Sequence, residues 1–206
     1  MEVGYTVLYE DGTLVISANP IKKFKKFTIL SLRKNICKDY GKFDDDNVPW
    51  KREYNKIKRV WILNQVKSNC MKDWFRSCYN LTTLIDFQNL DVSECKDFSY
   101  MFAYCKSLQE LNGLQDWDVS NGEYFVQTFC ECQSLTDIKL IQNWNMYNGE
   151  NFNWIFSYCI NLKEIYLSDT LKCLNYLMFE GCDFNLKIHW KNKIYTYEDF
   201  IEYQEF

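Results

Sequence analysis

Apolar residues in the middle of the chain return with a fixed step. Phe75, Phe102, Phe129, Phe156 and Phe179 each open a short phrase closed by Cys78, Cys105, Cys132, Cys159 and Cys182; the steps between the phenylalanines are 27, 27, 27 and 23 residues. Three residues past the Cys stands Leu81, Leu108, Leu135 or Leu162, and three further on Leu84, Leu111, Ile138 or Ile165. A period of this length marks stacked units, none of which buries its apolar face alone. Ahead of the phrase, Met71, Trp74, Phe75 and Cys78 stand at i, i+3, i+4 and i+7. So do Phe98, Met101, Phe102 and Cys105, and Phe152, Ile155, Phe156 and Cys159; the version Phe125, Thr128, Phe129, Cys132 has one polar member. This spacing predicts a short helix with one apolar face in every unit. The Leu-x-x-Leu that follows predicts short strands stacking in register, and Leu90, Trp117 and Trp144, again 27 apart, mark a following turn. Each unit therefore reads as helix, tight Cys turn, strand and Trp loop.

Outside the repeats the pattern changes. Residues 1–69 read as an N-terminal cap, 70–182 as the repeats and 183–206 as a C-terminal cap. Tyr5 to Ser17 alternates about Asp11-Gly12, a pair that favours the positive φ of a tight hairpin turn, and Pro20 closes the hairpin. Ile21, Phe24 and Phe27 are interleaved with Lys22, Lys23, Lys25 and Lys26. That stretch is either a basic patch for an acidic partner or a solvated edge over buried aromatics, and charge runs usually face solvent. Asp44-Asp45-Asp46-Asn47 lacks the alternating ligands, central Gly and closing Glu of a calcium loop, so it reads as a polar turn before Pro49. A helical stretch through Tyr54 and Ile57 leads to Val60-Trp61-Ile62-Leu63, expected to be the first strand of the stack, with Trp50 and Trp61 sealing its open end. At the other end a hairpin is expected around Lys191-Asn192. Thr196 then caps a short helix with Asp199 in its first turn, and Phe200 and Tyr203 fold back on the last repeat.

The run Met101-Phe102-Ala103-Tyr104-Cys105-Lys106-Ser107-Leu108, followed by Trp117-Asp118-Val119-Ser120-Asn121, resembles the BspA-like bacterial surface-protein leucine-rich repeat over residues 70–182. The flanks, Gly12-Thr13-Leu14 and the segment from Trp190 to Asp199, resemble the caps around such repeats. The expected fold is α/β: a leucine-rich-repeat solenoid of about four 27-residue units with a β-hairpin N-terminal cap and a hairpin-plus-helix C-terminal cap. The resemblance implies adhesion or protein binding, and it brings no catalytic residues to carry over.

Charge sharpens this. The formal net charge is −4, but residues 1–60 carry 13 Lys/Arg against 8 Asp/Glu and residues 61–206 carry 11 against 20. An acidic repeat region weighs against direct nucleic-acid binding and points to a protein partner with a basic surface. Met-Glu-Val-Gly-Tyr-Thr lacks a basic start with an apolar run, and no apolar stretch approaches the ~18 residues that cross a bilayer. The expectation is a cytoplasmic chain with reduced thiols and no membrane contact.

Three constellations carry candidate chemistry. The column Cys78, Cys105, Cys132 and Cys159 suggests redox or metal chemistry, yet small buried thiols packing as compact hydrophobes account for it more simply, and Cys130-x-Cys132 has the wrong spacing for a zinc knuckle. The lone His189 sits in a cap strand, with no nucleophile elbow and no phosphate-cradling Gly loop, so no enzyme, cofactor or metal is expected. The informative surface is the exposed strand positions: Thr83, Glu110, Asp137 and Glu164 at one, Ile85, Asn112, Lys139 and Tyr166 at the next. Stacked carboxylates there repel one another unless a cation or basic partner is near. The function expected is a non-enzymatic protein-binding module acting through this face. The alternatives are a small phage- or mobile-element-encoded inhibitor of a bacterial defence nuclease, of anti-CRISPR type, and a bacterial surface adhesin.

Overall fold

The computed structural model describes residues 5–21, 29–34, 50–136 and 138–202. Lys22, Lys23, Lys25 and Lys26, Phe24 and Phe27, the Asp44–Asn47 stretch, Asp137 and Tyr203 lie outside the described residues, as does the side chain of Phe200. The strands are β1 (Tyr5–Tyr9), β2 (Thr13–Ser17), β3 (Ile29–Lys34), β4 (Arg59–Ile62), β5 (Val66–Lys67), β6 (Thr83–Ile85), β7 (Leu90–Asp91), β8 (Glu164–Tyr166), β9 (Lys187–Trp190) and β10 (Lys193–Thr196), followed by the helix α1 (Tyr197–Glu202).

The Asp11-Gly12 hairpin forms as its sequence demands. Gly12 has φ +85°, and a Cβ on it would stand 2.6 Å from the Lys56 carbonyl oxygen, so only glycine closes this turn against the chain behind it. Asp11 accepts the Thr13 N–H. The hairpin is continuous with the stack: β2 pairs parallel with β4 and β4 parallel with β6, in a sheet ordered β3-β1-β2-β4-β6. The strand β3 was not foreseen in the stretch after the lysines; it lies antiparallel on the outer side of β1. The expected helical stretch is a 3-10 helix, Lys51–Lys56.

The helix expected ahead of each Cys does not form. Asp73, Ser77, Tyr100, Tyr104, Gln127, Glu131, Trp154 and Tyr158 have positive φ, one pair per unit, and such residues cannot continue a right-handed helix. Alternate N–H groups go two ways. Those of Trp74, Arg76 and Cys78 reach back three residues to Met71, Asp73 and Phe75. Those of Asp73, Phe75 and Ser77 leave the segment for the carbonyls of Ser99, Met101 and Ala103 in the next unit. The pattern repeats from Tyr100, Phe102 and Tyr104 to Val126, Thr128 and Cys130, and again one unit later. In an α-helix the donors past the first turn would all be spent inside their own segment. The 3.6-type spacing thus picks out the buried side chains correctly, while the backbone is a ladder of linked turns.

Side chains stack in the same direction. Phe75, Phe102, Phe129, Phe156 and Phe179 form one column with centroids 5.3, 5.8, 5.8 and 6.0 Å apart, and Phe98, Phe125 and Phe152 a second at 5.1 and 5.2 Å. The third column is Phe87, Trp117 and Trp144; its first ring is Phe87 rather than Leu90. The Trp117 and Trp144 indoles donate to the Phe87 and Leu114 carbonyls. The polar Thr128 is fully buried, its hydroxyl 2.8 Å from the Phe125 and 3.1 Å from the Phe98 carbonyl oxygen.

Among the described residues, strands form after the Cys turns of Cys78, Cys159 and Cys182, as β6, β8 and β9. Over Leu108 to Leu114 the chain turns instead. The Leu114 N–H closes on Leu111 around Gly113, at φ +89°, and the third unit enters a 3-10 helix at Lys139–Ile141. Of the two expected end seals, Trp50 is buried and donates its indole N–H to the Trp74 carbonyl. Trp61 faces the other side of the sheet, against Val7, Tyr9 and Val15, because successive strand residues point to opposite faces and Val60 and Ile62 take the core side. At the far end Lys191 and Asn192, both at positive φ, turn the β9–β10 hairpin. The Thr196 N–H donates to Asp199 and the Asp199 N–H to the Thr196 hydroxyl, a reciprocal cap on α1. Buried Tyr197 packs on the core of the last unit, its ring stacked on that of Phe184 with centroids 6.0 Å apart.

Candidate functional site

The parallel pairing of β8 with β9 sets the site. Glu164 and Tyr166 are two residues apart on β8 and so share a face, and the register places His189 directly beside Tyr166. The imidazole lies flat on the Tyr166 ring, centroids 4.1 Å apart and planes 8° apart, with its Nε2 2.9 Å from Glu164 Oε1. From the unit before, Lys139 brings its ammonium 4.9 Å from the centroid of the same ring. Three of the expected face residues, Lys139, Glu164 and Tyr166, thus meet, and His189 joins them from what the sequence showed only as a cap strand. Period-2 alternation on a strand starting at Lys187 was the signal that could have placed it there.

The electrostatics follow from these contacts. The hydrogen bond with His189 holds the Glu164 carboxyl below the usual carboxylate range; partial desolvation opposes this, while Tyr166, the His189 charge and Lys139 add to it. Glu164 therefore does not stand as one of a column of bare carboxylates. Beside the cluster opens a cleft of about 680 Å³, whose walls include Gln142, Asn143, Asp169, Lys191 and Ile194. The arrangement is a planar aromatic pair edged by a carboxylate and an ammonium, suited to recognising a mixed polar and apolar surface.

The other expected residues lie elsewhere. Glu110 and Asn112 are exposed and bonded to each other at 2.6 Å, Asn112 donating. Thr83 is exposed, its hydroxyl 3.2 Å from that of Thr82. Ile85 lines a separate apolar cavity of about 340 Å³ with Tyr9, Val15 and Trp61, whose indole donates to Asp86.

The cysteine column is internal. The Cys105, Cys132, Cys159 and Cys182 thiols donate to the carbonyls of Phe75, Phe102, Phe129 and Phe156, one unit back. Burial raises every thiol in the column, Cys182 to about 12. None of the nine described cysteines is in a disulfide. Among the described residues, no group of three or more His, Cys, Asp or Glu is placed to hold a metal ion, and no helix is long and apolar enough to cross a membrane.

One family's sequence model, described as Mycoplasma protein of unknown function, DUF285, matches residues 43–168. No curated protein and no solved structure matches the chain.

Proposed function

We propose that this chain, which belongs to that family of Mycoplasma proteins of unknown function, is a non-enzymatic protein-binding module built as a leucine-rich-repeat solenoid, taking its partner on the strand face. The observation that carries this reading is the Lys139, Tyr166, His189 and Glu164 cluster. Side chains from three separate segments are held in one half-exposed arrangement by stacking, a hydrogen bond and a cation–π contact. A recognition patch whose rotamers are fixed before binding loses less entropy when a partner docks. The partner class is another protein with a mixed surface, basic where it meets Glu110 and acidic where it meets Lys139.

The test is affinity capture from cell lysate with wild type, the charge reversal Glu110→Lys/Asp137→Lys/Glu164→Lys, and Tyr166→Ala. A protein retained by wild type and lost by both folded variants supports the reading. Equal capture by all three removes the strand face from consideration.

The resemblance of the Met-Phe-x-x-Cys-x-Ser-Leu pattern to BspA-like surface repeats favours one finer reading, an adhesin at a bacterial surface. Protease treatment of intact cells distinguishes it, since a surface adhesin is cleaved and an internal protein is not.

A further inference from the structure

The edge of the C-terminal sheet is open at one residue. In the order β10-β9-β8, β10 is the outer strand. The two-residue turn makes Trp190 and Lys193 a hydrogen-bonded pair, so along an antiparallel ladder the next pair, His189 and Ile194, turns its N–H and C=O groups outward. On the inner side that parity holds: the His189 carbonyl accepts from Leu167, just past β8, and the Lys187 N–H donates to Lys163, just before it. Ile194 therefore presents its backbone N–H and C=O away from the sheet. Its side chain is 63% exposed. An edge of this kind is a template for another strand.

Charge selects the occupant. At the turn end of β10 stand Lys191 and Lys193, both exposed, with Lys191 held over the Trp190 ring at 4.2 Å. The carboxylate there is Asp169, which already accepts the Lys191 N–H. At the helix end Lys187 stands across from Thr196, and the chain goes on to two carboxylates, Glu198 and Asp199, the latter accepting the Thr196 N–H. Two copies of this edge would bring two sets of lysines together, and lysine on an edge strand discourages self-pairing. We propose that β10 adds a strand from an acidic, extended segment of a partner protein, pairing with the backbone of Ile194 and setting carboxylates against Lys191 and Lys193. This edge borders the cleft beside the Lys139–Tyr166 cluster, which Lys191 and Ile194 also line, but strand pairing at Ile194 uses backbone groups and does not rest on that cluster binding a partner.

The experiment uses the full chain and three fluorescein-labelled heptapeptides: one alternating Glu and Val, one alternating Lys and Val, and the Glu/Val peptide N-methylated at every second residue. Expected in fluorescence anisotropy is binding of the Glu/Val peptide alone, weakened by about tenfold or more in Ile194→Pro and in Lys191→Glu/Lys193→Glu. Proline at Ile194 removes a donor that faces outward, so the β9 ladder and the melting temperature should be kept. Should that variant misfold, amide exchange of wild type decides: the Ile194 N–H gains protection with the Glu/Val peptide present. Failure of the Glu/Val peptide to bind, equal binding of the N-methylated peptide, or no protection at Ile194 overturns the proposal. So does a concentration-dependent dimer in sedimentation that Ile194→Pro abolishes, which would make the occupant a second copy.

Discussion

The Cys132 thiol donates to the Phe102 carbonyl oxygen at 3.2 Å, and both groups are fully buried between two units of the ladder. The Cys is thus more than a small apolar filler, because it adds a second donor to a carbonyl that already accepts the Cys105 N–H. Cys132→Ala should destabilise the protein by about 1–2 kcal/mol, the cost of one lost buried hydrogen bond and a small cavity, since the Cys105 N–H still reaches the carbonyl. Cys132→Ser keeps a donor and should recover part of that loss. Urea denaturation of the three proteins measures the order.

The same burial predicts reactivity. A thiol alkylates as its thiolate, and burial raises Cys78, Cys105, Cys132, Cys159 and Cys182 above the ordinary value of 9.0. Raising the pH to that ordinary value should therefore leave all five unlabelled by iodoacetamide in the folded protein, while exposed Cys173 reacts. Peptide mapping after native and denatured labelling reads this directly. Labelling of any column thiol without unfolding would contradict it.

Gly149 has an ordinary φ, yet a Cβ there would stand 2.1 Å from Phe152 Cζ and 2.6 Å from its Cε2. Gly149→Ala should cost roughly 1–3 kcal/mol by overpacking. The ring is the main obstacle, the Met146 carbonyl oxygen at 3.1 Å being tight but not overlapping, so Gly149→Ala/Phe152→Leu should be more stable than the sum of the single changes implies. A double-mutant cycle by thermal melting gives the coupling, and additive losses would refute the steric account.

The first unit has no predecessor to donate to its carbonyls, and the Trp50 indole does so for Trp74. Trp50→Phe keeps the ring that stacks on Phe75 and removes the donor. A loss of about 1–3 kcal/mol is expected in urea titration, and Trp61→Phe, whose indole meets exposed Asp86, should cost less.

The spacing of Phe75, Trp74, Met71 and Cys78 already identified what is buried, since burial depends on which side chains face one way. It could not identify the backbone, because an i, i+3, i+4 pattern fits both a helix and a run of linked turns. What separates them is the residue tolerating positive φ, and here Tyr100, Tyr104, Gln127 and Trp154 carry no glycine-like signal. The two hairpins were legible because Asp11-Gly12 and Lys191-Asn192 suit positive φ locally. The site was half legible. Lys139, Glu164 and Tyr166 follow from the repeat register, but His189 comes from a strand after the period breaks from 27 to 23 residues, where counting positions no longer aligns neighbours.

That His189 contact makes stability depend on acidity in a defined direction. The folded Glu164 carboxyl is held below its ordinary value of 4.5, chiefly by the hydrogen bond with His189. A depressed carboxyl stabilises the fold above its unfolded pKa, and this contribution is lost as the pH falls through the folded value. Glu164→Gln removes the titration. Wild type should therefore melt higher than Glu164→Gln at neutral pH, the gap closing as the pH is lowered through the acid range. His189→Phe keeps a ring to lie on Tyr166 while removing the bond to Glu164, so it should show the same closing gap against wild type. A gap that stays constant down to acid pH would mean that Glu164 and His189 are not coupled in solution.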